Sequence, residues 1–207
     1  MMPERVVLAT GNPGKLREFR ALVEEQAMPL AIVGQADCFA GEADETGLTF
    51  VENALIKARH ACEQTRLPAI ADDSGLIVDA LDGEPGIHSA RYAGDSASDQ
   101  ANIDLLLGEL AASGHDRSPA RYHCTLIFLR HAEDPDPRIA QARWEGEVRR
   151  ETRGADGFGY DPVFWLPERG CTVAELPPAE KNRLGHRGRA MRMLLDMLRQ
   201  HPGSGDP

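Results

Sequence analysis

The chain has 207 residues, 42% hydrophobic and 27% charged, which suits one soluble globular domain with a real core. Its formal net charge of −10 argues against a nucleic-acid partner, because Lys and Arg supply most of the affinity for a phosphate backbone. No apolar run approaches the roughly 20 residues of a membrane span, and the N-terminus lacks the pattern of a signal peptide, so a cytoplasmic protein with no membrane contact is expected.

In chain order, "RVVLAT" (about 5–10) reads as a first strand. A helix from about Pro13 to Glu25 follows, with Asn12 as N-cap, Pro13 at the first helical position, and Leu16, Phe19, Leu22 and Val23 on one face. "AIVGQAD" reads as a second strand. A second helix starts near Thr49, which has capping-box spacing to Glu52, and Phe50, Ala54, Ala58 and Ala61 share its inner face. "PAIADD" and "LIVDAL" read as two further strands, and "GEPGIHSARYAG" as a loop. Ser98 opens a third helix with Ile103, Leu106, Leu107 and Leu110 inward.

"RYHCTLIFLRH" and "RIAQARWEGEVRRE" read as an antiparallel pair joined at "AEDPDP". "GADGFGYDPVFWL" is a Gly-rich loop entering a strand. The last helix runs from about His186 to Gln200, with Ala190, Met193, Leu194, Met197 and Leu198 on its apolar face, and "HPGSGDP" reads as a flexible tail, 201–207. Elements that alternate, then give strands, then a helix imply an α/β fold: a mixed sheet flanked by helices. Cys38, Cys62, Cys124 and Cys171 are widely spaced and read as small buried apolar residues rather than disulfide or zinc ligands.

Five stretches carry chemistry. In "TGNPGK", a strand ends, the chain turns on glycines and a helix starts, which leaves backbone N–H groups and a positive dipole end for an anion. Lys15 is the wrong charge for that dipole unless it faces a phosphate, and the spacing is not that of a Walker A loop. The plainer reading is an ordinary strand–helix turn.

In "ADDSGL", Asp72 and Asp73 sit between apolar runs. Either Asp, Ser and Gly make a hairpin turn, or the carboxylates serve a metal or acid–base chemistry at a strand end. "GEADETG" places Glu42, Asp44 and Glu45 before a helix: a solvated acidic loop, or a source of one more magnesium ligand, since magnesium needs few carboxylates beyond the substrate's phosphates. "GFGYDP" interleaves Phe158 and Tyr160 with glycines as an exposed loop on which a base could stack, or as a Gly-rich hairpin with anchoring aromatics. "EKNRLGHRGRA" clusters Lys181, Arg183, His186, Arg187 and Arg189 at a helix start, where positive charge is penalised without an anionic partner. Together the five fit a nucleoside triphosphate held through a divalent cation.

Six stretches, "VLATGNPGK", "ETGLTFVENALIKA", "PAIADDSGL", "PGIHSARYAG", "GFGYDPVF" and "EKNRLGHRGRA", stand in order from residue 6 to about 199 and resemble the inosine triphosphate pyrophosphatase (Ham1-like) family. The resemblance implies an elongated mixed sheet in two lobes, a single domain over 1–200 with a central nucleotide cleft, usually a homodimer. It implies magnesium-dependent hydrolysis of dITP/ITP and XTP/dXTP to the monophosphate and pyrophosphate, clearing deaminated purines from the nucleotide pool.

On this sequence, the implied triphosphate turn is Thr10, Gly11, Asn12, Pro13, Gly14 and Lys15. The implied proton acceptor is Asp73, also a magnesium ligand, with Asp44 or Glu45 as the other metal carboxylate. Ser74, Phe158, Gly159, Tyr160, Asp161, Lys181, His186 and Arg187 match substrate-contacting positions. Gly185 departs from the family's usual Ser before His-Arg, and as an acceptable N-cap it is expected to change little. Two alternatives stay open: hydrolysis of other nucleoside triphosphates, and a non-catalytic nucleotide-binding module.

Overall fold

The computed structural model describes residues 3–200; the predicted 201–207 tail lies outside them. Among the described residues, five α-helices and seven strands follow in the order β1 (Arg5–Ala9), α1 (Pro13–Glu25), β2 (Ala31–Gly34), α2 (Phe50–Thr65), β3 (Ala69–Val78), α3 (Asp99–Ala112), β4 (Arg117–Leu129), β5 (Arg138–Arg149), β6 (Phe164–Leu166), β7 (Cys171–Thr172), α4 (Pro178–Leu184) and α5 (His186–Gln200). The strands form one sheet in the order β2-β1-β3-β4-β5-β6-β7. β1 runs parallel to β2 and β3, while β6 is antiparallel to β5 and β7, so the sheet is mixed as the sequence predicts. β4 and β5 are neighbours, and the eight residues 130–137 between them are too few for the crossover a parallel pair needs, so they form the expected antiparallel hairpin.

The chain divides into two compact units: residues 3–73, 124–142 and 187–200 make the first, residues 74–123 and 143–186 the second. In the first unit β1, the start of β3 and the end of β4 are buried on both faces, and their alternation sorts two cores. Val6 and Leu8 of β1, Ile70 of β3 and Cys124, Leu126 and Phe128 of β4 meet Phe19, Leu22 and Val23 of α1 and Met191, Leu194, Leu195 and Leu198 of α5. The intervening residues Val7, Ala9, Ala69, Ala71, Ile127 and Leu129 meet Ala54, Ala58, Ala61 and Cys62 of α2. That second core is built largely from alanines, so α2 lies close to the sheet. The second unit has one core, in which Leu76, Val78, Tyr122, Trp144, Val148 and Phe164 of the strands pack on Ile103, Leu106 and Leu110 of α3.

The helix starts follow the caps read from sequence. Asn12 Oδ1 accepts the N–H groups of Gly14 and Lys15, and Thr49 Oγ1 accepts that of Glu52. Four expectations change. "PAIADD" and "LIV" are one continuous ten-residue strand, β3, so "DDSG" is not a hairpin turn and Asp72 and Asp73 lie in mid-strand. The strand continues because both flanks are apolar and Ser and Gly tolerate extended backbone. On α5 Ala190, Leu194 and Leu198 are buried as expected, but Met191 and Leu195 join them, while Met193 is 44% exposed and Met197 only partly buried. Cys38 is exposed and Cys171 half-buried, so of the four cysteines Cys62 and Cys124 are the buried pair. "EKNRLGHR" is not one helix start but the end of α4, Gly185, and the beginning of α5. Among the described residues no helix is long and apolar enough to cross a membrane.

Candidate active site

The period-2 geometry of β3 sends its two adjacent carboxylates to opposite faces of the sheet. Asp72 shares the face of Ile70; Asp73 shares the face of Ala71, under α2. They are therefore two sites, not a pair.

Asp72, 1% exposed, accepts Lys15 Nζ at 2.7 Å, Arg187 Nε at 2.6 Å and the Cys124 thiol at 3.8 Å. Arg187, also buried, extends a second bond to Glu18 at 2.6 Å. Burial works against the guanidinium, but Asp72 and Glu18 more than offset it, so its pKa lies above the usual arginine range. The Cys124 thiol is pushed well up by burial and by Asp72, and stays protonated. A carboxylate this deep is tolerable only because two cations and a thiol neutralise and hydrogen-bond it. Glu18 and Cys124 carry no motif in the sequence, and nothing short of the tertiary packing of α1 and β4 could have found them.

Asp73, 6% exposed, is held differently. Its Oδ1 accepts Lys57 Nζ at 2.6 Å, and the same ammonium meets Glu45 at 3.1 Å. Its Oδ2 is buried and has no hydrogen-bond partner among the described residues. Burial raises the Asp73 carboxyl pKa more than the Lys57 ammonium lowers it, so it sits above the usual aspartate range. Lys57 is shifted up as well: burial lowers it, but Asp73 and Glu45 raise it further. Lys57 lies on the rim of the alanine face of α2, where a long side chain runs over the sheet to β3. The one available signal for it was a Lys amid "NALIKA", beside the inner face of an otherwise apolar stretch.

Among the described residues no three His, Cys, Asp or Glu side chains form a ready metal cluster. A hard cation that brings its own water and phosphate ligands needs only one or two carboxylates. The unpartnered Asp73 Oδ2, with Glu45 close by on the same lysine, fits that requirement. Asp44 is exposed and Glu45 half-buried against Lys57, so of the two acidic-loop candidates Glu45 is the one beside Asp73.

The turn from Thr10 to Lys15 caps itself. Thr10 Oγ1 accepts the N–H of Asn12, and Asn12 takes those of Gly14 and Lys15, so these groups are already bonded rather than free. Beside Gly11 lies the carboxylate end of the exposed Glu42 side chain. A cavity of 530 Å³ opens beside it, lined by Gly11 and residues 35–42.

The remaining predicted residues, Arg187 apart, fall in the second unit. Asp161 is buried and organises the Gly-rich loop: it accepts the Phe158 N–H at 3.0 Å, Lys181 Nζ at 2.7 Å and the Tyr122 hydroxyl at 3.1 Å. Tyr160 is not exposed, as the Gly-aromatic pattern suggested; its ring is 4% exposed and its hydroxyl donates to the Ser89 carbonyl at 2.9 Å. Phe158 is half-buried, with the Lys181 ammonium 4.2 Å over its ring. Asp99 accepts the N–H of Gly159 at 2.6 Å. His186 stacks on Tyr122 at 4.7 Å. Ser74 is half-buried on β3.

Gly185 is more than an acceptable cap. A Cβ there would sit 2.7 Å from the Lys181 carbonyl and 3.3 Å from the Trp144 ring. Gly185→Ser must therefore displace the last turn of α4, which carries Lys181, and is expected to cost about 1–3 kcal/mol. Thermal unfolding of the variant checks this, and an unchanged midpoint would show that α4 yields freely.

The fold and the site thus define a mixed α/β protein with a buried lysine–carboxylate centre at the middle of one strand. The sequence pattern of the Ham1 family matches residues 6–197. A dITP/XTP pyrophosphatase of Escherichia coli (strain K12) is 53% identical over 196 residues, spanning 95% of this chain and 98% of that one. One of Photorhabdus laumondii is also 53% identical, over the same shares. Among solved structures, a HAM1 protein from Coxiella burnetii is similar with a TM-score of 0.87 and 44% identity, covering 95% of this chain and 98% of that one. The Staphylococcus aureus Ham1 protein gives 0.81 and 36%, with the same coverage. The chain belongs to the Ham1 family.

Proposed function

We propose that this protein hydrolyses non-standard purine nucleoside triphosphates, dITP/ITP and XTP/dXTP, to the monophosphate and pyrophosphate. The reading is supported by relatives named dITP/XTP pyrophosphatase that align over nearly the whole chain. The observation that carries it within this chain is Asp73: a buried carboxylate with one oxygen on Lys57 and the other unpartnered.

Asp73 takes the proton of the attacking water. Lys57 keeps Asp73 oriented and, being protonated, holds Glu45 beside it without repulsion. Asp73 and Glu45 would hold magnesium, which supplies charge neutralisation on the phosphoryl oxygens. Thr10 to Lys15 take the triphosphate. Binding there moves the Lys15 ammonium from Asp72 towards phosphate oxygen or shares it between them.

Phe158 offers the base an aromatic face, on a loop braced by Asp161 and Lys181. A 6-oxopurine presents an acceptor where adenine presents an amino donor. A donor at His186 or on nearby backbone is satisfied by the first and left unpaired by the second, which gives large discrimination. The protein acts in the cytoplasm as a homodimer.

Pyrophosphate release from dITP, XTP, dGTP, dATP and dUTP, with magnesium and with chelator, tests the reading. Fast magnesium-dependent release from dITP and XTP, with dGTP and dATP slower by about two orders of magnitude or more, is expected. Equal rates on all five would remove the base-recognition argument, and no release from any would leave a nucleotide-binding module.

A further inference from the structure

We propose that Asn53 is a positioning residue for Glu45, acting through the backbone of Gly47. The inference rests on the reading above that Glu45 and Asp73 hold the cation. Asn53 is fully buried (0% exposed) on an α2 face otherwise made of Ala and Cys. A carboxamide is a poor helix former and is costly to bury. A leucine of similar size would fill the space, so packing alone gives no reason for it. Its bond does: Oδ1 accepts the N–H of Gly47 at 2.8 Å.

Gly47 is equally constrained. A Cβ there would lie 2.5 Å from Glu52 Cβ, 2.7 Å from Asn53 Oδ1 and 3.0 Å from Asn53 N, so only glycine lets the acidic loop come this close to the helix. The next N–H, that of Leu48, goes to Glu52 Oε2 at 2.9 Å, and Thr46 N bonds the Asp44 carbonyl at 3.0 Å. The loop is thus pinned immediately after Glu45. Lys57 follows Asn53 by one helical turn, on the same side of α2, and meets the Glu45 carboxylate itself. Two successive positions of one stripe therefore hold the loop, one by its backbone and one by its acid.

Asn53 also keeps a donor in reserve: Nδ2 is buried and has no partner among the described residues. A buried donor of this kind is satisfied by an acceptor oxygen, such as a water ordered when the site fills. A carboxylate on an unpinned loop must lose its freedom when it takes a cation. One already pinned has lost it on folding, so Asn53 acts on metal affinity rather than on the proton transfer.

The test uses Asn53→Ala, Asn53→Asp and Glu45→Gln in the full chain. Two quantities are read: manganese binding by calorimetry without nucleotide, and the magnesium concentration giving half-maximal pyrophosphate release. Asn53→Ala should weaken both by about ten-fold, the loss typical of a group that orients a ligand, while turnover at saturating magnesium falls by less than about three-fold. Asn53→Asp keeps the acceptor for Gly47 and should stay within about three-fold of the parent. The Gly47 amide should exchange with solvent faster in the alanine variant only.

A lowered melting point with unchanged metal constants would make Asn53 merely structural and overturn the inference. If Asn53→Ala does not fold, Asn53→Ser, with its hydroxyl one bond shorter, is read in its place against Asn53→Asp. If Glu45→Gln binds manganese as the parent does, the metal reading fails first and takes this inference with it. If Glu45→Gln loses binding and the Asn53 variants do not, the inference alone fails.

Discussion

Asp73→Asn is expected to lower pyrophosphate release from dITP by at least about 100-fold, the lower bound for loss of a general base, and by more if the cation is lost with it. The substitution is nearly isosteric. It keeps an acceptor for Lys57 but removes the charge from the unpartnered oxygen. Stability should move the other way, because burial raises the folded pKa of Asp73 above its unfolded value. Stability from such a group is present in full below the unfolded pKa and is lost as pH rises through the folded one. Near neutral pH the ionised Asp73 is therefore a burden on the fold, and a neutral Asn relieves it.

Activity follows the same group with the opposite sense. The base works ionised, so kcat/KM falls with acid through a pKa above the ordinary aspartate value of about 3.9. Rising magnesium should shift that acid limb to lower pH, since a cation favours the carboxylate. Near-normal turnover in Asp73→Asn with magnesium present would remove Asp73 from the chemistry. An acid limb indifferent to magnesium would remove the cation from Asp73.

Arg187→Met should produce a large stability loss. Arg187 bonds Asp72 through Nε and Glu18 through Nη1, both at 2.6 Å, in a buried setting. Glu18 is partly exposed and can turn to water, but Asp72 cannot, and would lose one of its two bonded cations, Arg187 and Lys15. Leaving a buried charge short of its partner costs about 3–5 kcal/mol. For a chain of this size that is on the order of 10 °C in melting temperature.

Arg187→Lys should not restore it, because a single ammonium does not reproduce two bonds made in two directions by a planar fork. Adding Asp72→Asn to Arg187→Met should recover part of the loss, since the second change removes the charge the first one stranded. Urea unfolding of the single and double variants measures this. Additive losses would mean that Asp72 is neutralised by something other than Arg187.

How much of this was legible in advance depends on distance along the chain. The Asn12 and Thr49 caps, the faces of α1 and α2, and the β4–β5 hairpin are decided by neighbours within a few residues, where residue type and spacing carry the physics. The same locality misled in "ADDSGL". Turn-forming residue types pointed to a hairpin, but β3 enters the sheet paired with β1 through Ala71, has β4 as its other neighbour, and stays extended for ten residues. Likewise "GFGYDP" looked exposed because glycines interrupt it, whereas a carbonyl 71 residues away, that of Ser89, gives the Tyr160 hydroxyl a buried partner.

Residue type and spacing alone were enough for the family, the mixed α/β class and the caps of α1 and α2, because motifs and periodicity are written locally. Folding in three dimensions decided that Asp72 and Asp73 face opposite ways, that Lys57 is the cation bonded to Asp73, that Asp72 and Glu18 share Arg187, and that the Cys124 thiol donates to Asp72. Those assignments join residues as far apart as 18 and 187. They follow from which face of a strand a helix covers, and a one-dimensional pattern states that only once the helices have been placed.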